Sequence, residues 1–324
     1  MRRSVCAASF LAMIVPALAG AQAAECTNAA VPVRDACQKG TDLYTYMLPQ
    51  LGLGLAGGNP VLGSSKVIGK LGHFSVGVRG TVFNGALPKT VDPSTTGIVQ
   101  TNMATDKQII GGPGIDAAIG LYGGIPLGVT HVGSVDALVS YIYIPDISKN
   151  NNSGGGSDNA DIKLESHSKI GFGVRVGLVD ESVVIPGVSF VYLKRGLPKL
   201  DLTNTSNSGT TFGVNRLDIN AGTWRLIATK SFLLFGLSVG VGGDSYTSSG
   251  TVTATNSGQN VQFSLDRDIS RTNMFADLTF NLGPAKLAAE AGRVSGGSIS
   301  TFNTFDPVAT AARTYYSAGL RFGW

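Results

Sequence analysis

From Phe74 onward, apolar residues alternate with small or polar ones at a period of two. Phe74, Val76, Val78 and Val82 alternate with Ser75, Gly77, Arg79 and Thr81. Ile170, Phe172, Val174, Val176 and Leu178 alternate with Lys169, Gly171, Gly173, Arg175 and Gly177, and Met274, Ala276, Leu278, Phe280 and Leu282 with Asn273, Asp277, Thr279 and Asn281. Side chains along a strand point to opposite faces in turn. Each segment therefore reads as a strand with one apolar face and one small or charged face, as a transmembrane barrel requires between lipid and lumen.

The pattern predicts ten strands, near 73–83, 114–123, 129–143, 167–178, 187–197, 213–230, 236–247, 270–282, 285–294 and 314–324. Most reach the roughly 9–11 residues that a tilted strand needs to cross a bilayer. The stretch 213–230 changes phase around Trp224, which predicts a bulge there. The connections Gly124 to Gly128, Val179 to Pro186, Ser231 to Phe235 and Gly283-Pro284 are short, whereas 84–113, 144–166, 198–212, 248–269 and 295–313 are long and polar. Short and long alternate strictly, like the periplasmic turns and external loops of outer-membrane barrels. Within 248–269, residues 251–255 and 261–265 read as a hairpin that extends two strands, or as an extra pair giving twelve. The Asn150 to Asn159 stretch is low-complexity loop. Tyr141, Tyr143 and Tyr192 fall toward the outer interface, and Phe74, Phe280, Phe322 and Trp324 toward the inner one, as aromatic girdles do. The expected fold is an all-β, antiparallel up-and-down barrel of about ten strands, with eight to fourteen compatible.

Residues 25–72 have a different pattern and form a separate N-terminal periplasmic or plug segment. Cys37, Leu43, Met47, Leu48 and Leu51 have helix-like spacings, but Gly40 and Pro49 restrict the prediction to a short helix. Gly57-Gly58-Asn59-Pro60 is a turn signal.

Residues 1–24 read as a secretory signal: Arg2 and Arg3, a short apolar stretch from Phe10 to Leu18, then Ala21-Gln22-Ala23 at the cleavage site. The apolar stretch is shorter than the roughly 20 residues of a membrane helix. Removing the signal leaves 23 basic against 21 acidic side chains, a net charge of +2 that does not suggest a nucleic-acid partner. Charged residues make up only 14% of the chain, against about 25% in ordinary soluble domains. Yet no apolar run after the signal is long enough for a membrane helix. A closed barrel satisfies the backbone of such a chain in lipid. Cys26 and Cys37 favour one disulfide in an exported protein, with two free thiols as the alternative. Residues 22–25 make a poor lipobox before Cys26.

At the end of the chain, Tyr316, Ala318, Leu320, Phe322 and Trp324 share one face, opposite Ser317, Gly319, Arg321 and Gly323. This resembles the C-terminal signature of bacterial outer-membrane β-barrels, which place hydrophobic residues at alternate positions and finish on an aromatic. The resemblance implies insertion by the barrel-assembly machinery, with Tyr316, Leu320, Phe322 and Trp324 as the assembly signal and outer-membrane lipid as surroundings. Anchoring Trp324 in the periplasm puts the four short turns there, the five long loops outside, and the N-terminal segment in the periplasm or lumen, with both termini periplasmic. Asn59-Pro60-Val61-Leu62-Gly63 is similar, over these few residues, to the Asn-Pro-Ala-Gly-like motif of the long-chain fatty-acid transporter family. Here Val61 replaces the alanine, Leu62 intervenes before the glycine, and the chain is short for that family's larger barrel. An ordinary Asn-Pro turn is the other reading.

No enzymatic constellation is expected. The histidines are His73, His131 and His167. Ser168 beside His167 points the opposite way on a strand, so no triad forms locally. Neither a phosphate loop nor calcium-loop spacing around Asp244 and Asp268 occurs, and no cofactor or metal is expected. The lumen is the informative place. Its expected inward residues include Arg79, Asp116, Asp136, Lys169, Arg175, Arg216, Asp277, Lys286, Glu290 and Arg321. These either pair across the interior as structural ions or line a polar pathway or contact a plug. The leading functional expectation is passage of a small molecule, hydrophobic ligands included. The alternative is a structural or surface-interaction barrel that acts through its long loops.

Overall fold

The computed structural model describes residues 20–64, 66–69, 71–89, 91–144, 160–206 and 208–323. Residues 1–19 of the expected secretory signal, the Asn150 to Asn159 stretch and Trp324 lie outside the described residues.

Ten antiparallel strands close into a barrel. In chain order they are β1 (Phe74–Pro88), β2 (Thr105–Tyr122), β3 (Ser134–Tyr143), β4 (Ser168–Val179), β5 (Gly187–Gly196), β6 (Thr211–Ser231), β7 (Phe235–Asn256), β8 (Gln259–Leu282), β9 (Ala285–Ser295) and β10 (Arg313–Gly323). Each strand pairs with the next, and β1 pairs with both β2 and β10, so no free edge remains in the ring. The closure register sets Val76 against Phe322 and Val82 against Tyr316. Outward positions are apolar and exposed, among them Val78, Phe172, Leu226, Val239, Leu278 and Leu287. Phe74, Phe280 and Phe322 are exposed at the short-turn end of this band, and Tyr141, Tyr143 and Tyr192 at the other. No helix among the described residues is long and apolar enough to span a membrane.

The ten segments are those expected, with differences that have local causes. β6, β7 and β8 run for 21, 22 and 24 residues, about twice the crossing length. The 248–269 connection is thus a continuous hairpin, turned at Ser257 and Gly258 with φ of 50° and 78°, the type I′ geometry that suits strand twist. Short strands Leu200–Thr205 and Ala160–Leu164 add to the edge of β6 beyond the ring. The strand expected at 129–143 breaks at Gly133, whose φ is 74°. Residues Thr130–Val132 pair instead with Ile125–Leu127 as a separate small hairpin. The bulge lies not at Trp224 but ahead of it, where Asn215 faces Thr251 and Asp218 faces Ser249. Arg216 takes the left-handed conformation there, with φ 53°.

The largest difference is the N-terminal segment. After a short turn of helix, α1 (Ala24–Thr27), a single 23-residue helix, α2 (Arg34–Ala56), runs inside the barrel. Gly40 and Pro49 do not shorten it. The helix satisfies most of its own main-chain groups, which water cannot reach in the lumen, and contacts on all sides override weak propensity. Tyr44, Leu48 and Leu55 pack on Leu217, Ile219, Tyr246 and Val252, while Leu53 joins Phe83, Val191 and Ile227. Polar side chains bind the loops and wall. Asp35 accepts from Ser94 and Val99 main-chain N–H groups at 2.7 and 3.0 Å. Asp42 accepts from Asn303 N and Nδ2 at 2.8 and 2.6 Å. Burial still raises the Asp42 carboxyl above its ordinary pKa, against those donors. Gln50 exchanges two hydrogen bonds with the Ala86 main chain.

Cys26 and Cys37 form a disulfide, with Cα atoms 5.4 Å apart. It packs on Phe212 and Ala254 near the tip of the β6–β7 extension, and Asn256 Nδ2 donates to Pro32 O. This start of the segment is at the long-loop end. The C-terminus is at the short-turn end, where Gly323 N donates to Pro284 O. The expectation that both termini share one side is therefore corrected. The segment threads the whole lumen, with Ala36 and Cys37 at the start of α2 packed on Phe212 and Ala254 of the extended strands.

If the outer band faces lipid, Leu278→Arg near mid-band should cost about 2–4 kcal/mol, and Leu282→Arg at the strand end about 0–1 kcal/mol. Denaturant unfolding from vesicles reads both values. Equal costs would be inconsistent with a lipid-facing band.

Candidate functional site

The last carbonyls of an α-helix have no partner within it, and its C-terminus carries partial negative charge. Here the end of α2 sits in mid-lumen, where the wall supplies cations. Arg195 Nη1 donates to Ala56 O at 2.9 Å, and Arg225 Nη2 and Nε donate to Gly57 O and Gly58 O at 2.9 and 3.1 Å. Asn273 Nδ2 adds a second bond to Gly57 O at 2.9 Å. Gly57 turns the chain with φ 56°, a conformation glycine adopts without cost. A Cβ on Gly58 would overlap the Glu290 carboxylate.

The same arrangement continues downward. Arg79 Nη1 donates to Asn59 O, Arg321 Nη1 to Val61 O and Arg175 Nη1 to Ser64 O, at 3.1, 3.2 and 3.2 Å. Carboxylates take the opposite groups. Glu290 accepts from Asn59 N at 2.6 Å, Asp277 from Asn59 Nδ2 at 2.7 Å, and Asp136 from Ile68 and Gly69 N–H groups at about 3.0 and 2.9 Å. The wall holds the threaded chain largely by its main chain. Ion pairs orient the arginines: Arg79–Asp116 at 3.3 Å, Arg195–Asp116 at 2.9 Å, Arg225–Asp244 at 2.6 Å and Arg175–Asp136 at 2.6 Å. Five of these side chains, Arg175, Asp136, Arg195, Arg225 and Asp244, are essentially fully buried. A cavity of about 20 Å³ beside Val61 and Arg79 is the space left at this level, room for about one water.

Of the expected lumenal residues, Arg79, Asp116, Asp136, Arg175, Asp277, Glu290 and Arg321 converge on the threaded segment. Lys169 bonds Asp218 at 2.8 Å nearer the long-loop end and stays half-exposed. Lys286 borders a cavity at the short-turn end. Arg216 does not face the lumen. It is exposed at the bulge, its N–H donating to Asp201, because the extra residue there reverses the alternation. Along the last strand, Tyr316 and Phe322 are exposed on the outer face and Ser317 is buried on the inner one, with Leu320 half-buried on the outer face. Asn59 and Pro60 form a turn at mid-lumen. Asn59 is fully buried, and its Oδ1 accepts from Val61 N.

Sequence reading missed Arg195, Arg225 and the pairing role of Asp244. The signal was present. Tyr192 and Trp224 point outward, so Arg195, three positions on, and Arg225, one position on, point inward by alternation. The phase change assigned to Trp224 concealed Arg225. His167 lies at the long-loop end, bonded to Ile144 O. His73 and His131 lie at the other end, so the three histidines do not converge.

No protein-family model matches the sequence, and no curated protein matches it significantly. Among solved structures, the chain is similar to Ail, the attachment invasion locus protein of Yersinia pestis: 11% identity over 78% of this chain and 99% of that one, with a TM-score of 0.25. It is also similar to the β domain of the Bordetella autotransporter BrkA: 10% identity, 77% and 98% covered, TM-score 0.31. A third is the Ralstonia pickettii toluene transporter TbuX: 12% identity, 78% and 88% covered, TM-score 0.28. At such scores the fold is read from the chain's own strand pairing. A closed antiparallel ring with an apolar outer band and a charged lumen filled by an N-terminal helix defines a transmembrane β-barrel of the kind built in bacterial outer membranes.

Arg225→Ala would leave Gly58 O without its donor and the buried Asp244 carboxylate without its counter-charge, at an expected cost of about 3–5 kcal/mol. Arg216→Ala, at the exposed bulge, should change stability by less than about 0.5 kcal/mol. Denaturant midpoints of the two variants compare these directly, and an Arg225→Ala protein as stable as its parent would contradict the clamp.

Proposed function

We propose that this barrel is a gated channel or transporter for a small molecule, apolar solutes included, with residues 34–69 as the gate. One observation carries the reading. The lumen is filled by a separate stretch of chain, whereas wall side chains suffice to fill a narrow structural barrel. The inward wall is kept small at Gly77, Gly112, Gly114, Gly171, Gly173 and Gly319, which makes room for that stretch. The polar attachments are exchangeable: each arginine–carbonyl bond has an equivalent in water, so partial withdrawal hydrates the groups it releases. An apolar groove of about 430 Å³ on the outer wall, bordered by Gly80, Pro113, Ile115 and Tyr141, supports apolar solutes. No catalytic role is proposed.

Planar-bilayer recordings test the gate. The intact chain should conduct little. Arg225→Ala combined with Asn273→Ala, which loosens the end of α2, should increase open time and conductance. Cells with the loosened barrel should take up small apolar solutes faster than cells with the parent. Equally silent barrels and unchanged uptake would refute the proposal.

A second reading is favoured by the extension of β6, β7 and β8 beyond the band. With Leu200–Thr205 and Ala160–Leu164 it forms a sheet at the long-loop end, and loops on rigid scaffolds often carry binding. In this reading the plug only stiffens the barrel, and the surface sheet binds an external partner. Replacing the exposed Gln259, Asn260 and Gln262 of the 248–269 hairpin with alanine, which leaves the anchors of the plug in place, should abolish surface adhesion and leave conductance unchanged. Unaltered adhesion would exclude it.

A further inference from the structure

At the short-turn mouth, a cavity of about 270 Å³ opens beside the start of β1. Lys66, Arg175, Lys286 and Arg321 line it, and no carboxylate side chain among the described residues does. The nearby acids are already engaged. Asp136 pairs with Arg175 at 2.6 Å. Asp180 accepts from Ser134 Oγ at 2.6 Å. Asp277 holds Asn59 and Gly63. Glu181 is taken by the Ser231 main-chain and side-chain donors. Arg321 spends one donor on Val61 O. Lys66 and Lys286 have no polar partner among the described residues. Lys66, Lys286 and the remaining Arg321 donors thus face one recess with hydrogen-bonding capacity to spare, which an anion that enters can use.

We propose that this mouth is a binding site for a phosphate group. A phosphate offers several oxygens to several donors at once, which suits a guanidinium and two flexible ammonium groups better than a single carboxylate would. Gly283 and Gly323 on the rim let a ligand approach main chain closely. Phe74 also lines the recess and is exposed on the outer face at the band's edge. The recess therefore lies level with the inner membrane interface, where it meets both free phosphate and phospholipid headgroups. The recess borders the gate segment, which carries Lys66, but Lys66 and Lys286 make none of the clamp's bonds, so phosphate binding and gating are read separately.

The test uses the full mature chain refolded in non-ionic detergent, with folding checked by heat-dependent gel mobility. Inorganic phosphate is titrated calorimetrically at fixed ionic strength, and retention of phosphatidylglycerol against phosphatidylcholine is measured by native mass spectrometry. Saturable phosphate binding, weakened about tenfold or more in Lys66→Gln/Lys286→Gln and in Lys286→Glu, supports the site. Lys107→Gln, at the opposite end of the barrel, should bind as the parent does. Preferential retention of phosphatidylglycerol, lost in the same variants without binding of free phosphate, supports it with the headgroup as the source. No phosphate binding and no lipid preference in the parent, or equal binding in the lysine variants, overturns it.

Discussion

A chain drawn through a barrel must satisfy every main-chain N–H and C=O it carries, and this constraint organises the molecule. Helix α2 meets it for itself until its last turn. There Ala56, Gly57 and Gly58 lose their partners in a region water barely enters, and Arg195, Arg225 and Asn273 replace them. A buried guanidinium is itself costly without a counterion. Each arginine therefore brings a carboxylate, and the result is a lattice of Arg79, Arg195, Arg225 and Arg175 with Asp116, Asp244 and Asp136. The ion pairs follow from the threaded segment and exist to serve its carbonyls.

The lumen then divides into three levels. At the long-loop end, α2 is held by apolar burial against extended strands, by the disulfide and by loops that end on Asp35 and Asp42. At mid-lumen the hold is polar and directional. At the short-turn end the segment leaves a recess lined by Lys66, Arg175, Lys286 and Arg321. Burial at the top is strong and non-directional; the polar hold in the middle is modest in net energy, because water competes for the same groups.

The ring was legible because lipid outside and a polar interior impose a two-residue period on each strand, and Phe172 or Leu278 reports it locally. Closure, strand direction and the alternation of short and long connections followed from that period and from the last strand. Arg225 was concealed by a phase change whose true position, at Arg216, depends on how β6 pairs with β7. Gly40 and Pro49 argued against a long helix because propensity is a local quantity, whereas the walls that enclose α2 include a strand residue 221 positions away in sequence.

By itself, then, the sequence determined an exported ten-stranded barrel with inward charges and a distinct N-terminal segment, since periodicity and composition record which solvent each side chain meets. Only the tertiary structure decided that the segment is one continuous helix threaded from mouth to mouth, that the termini lie at opposite ends, and that the arginines bind carbonyls rather than only one another. Those facts depend on which strand faces which part of the plug. Contacts of that kind join distant positions and leave no period in the chain.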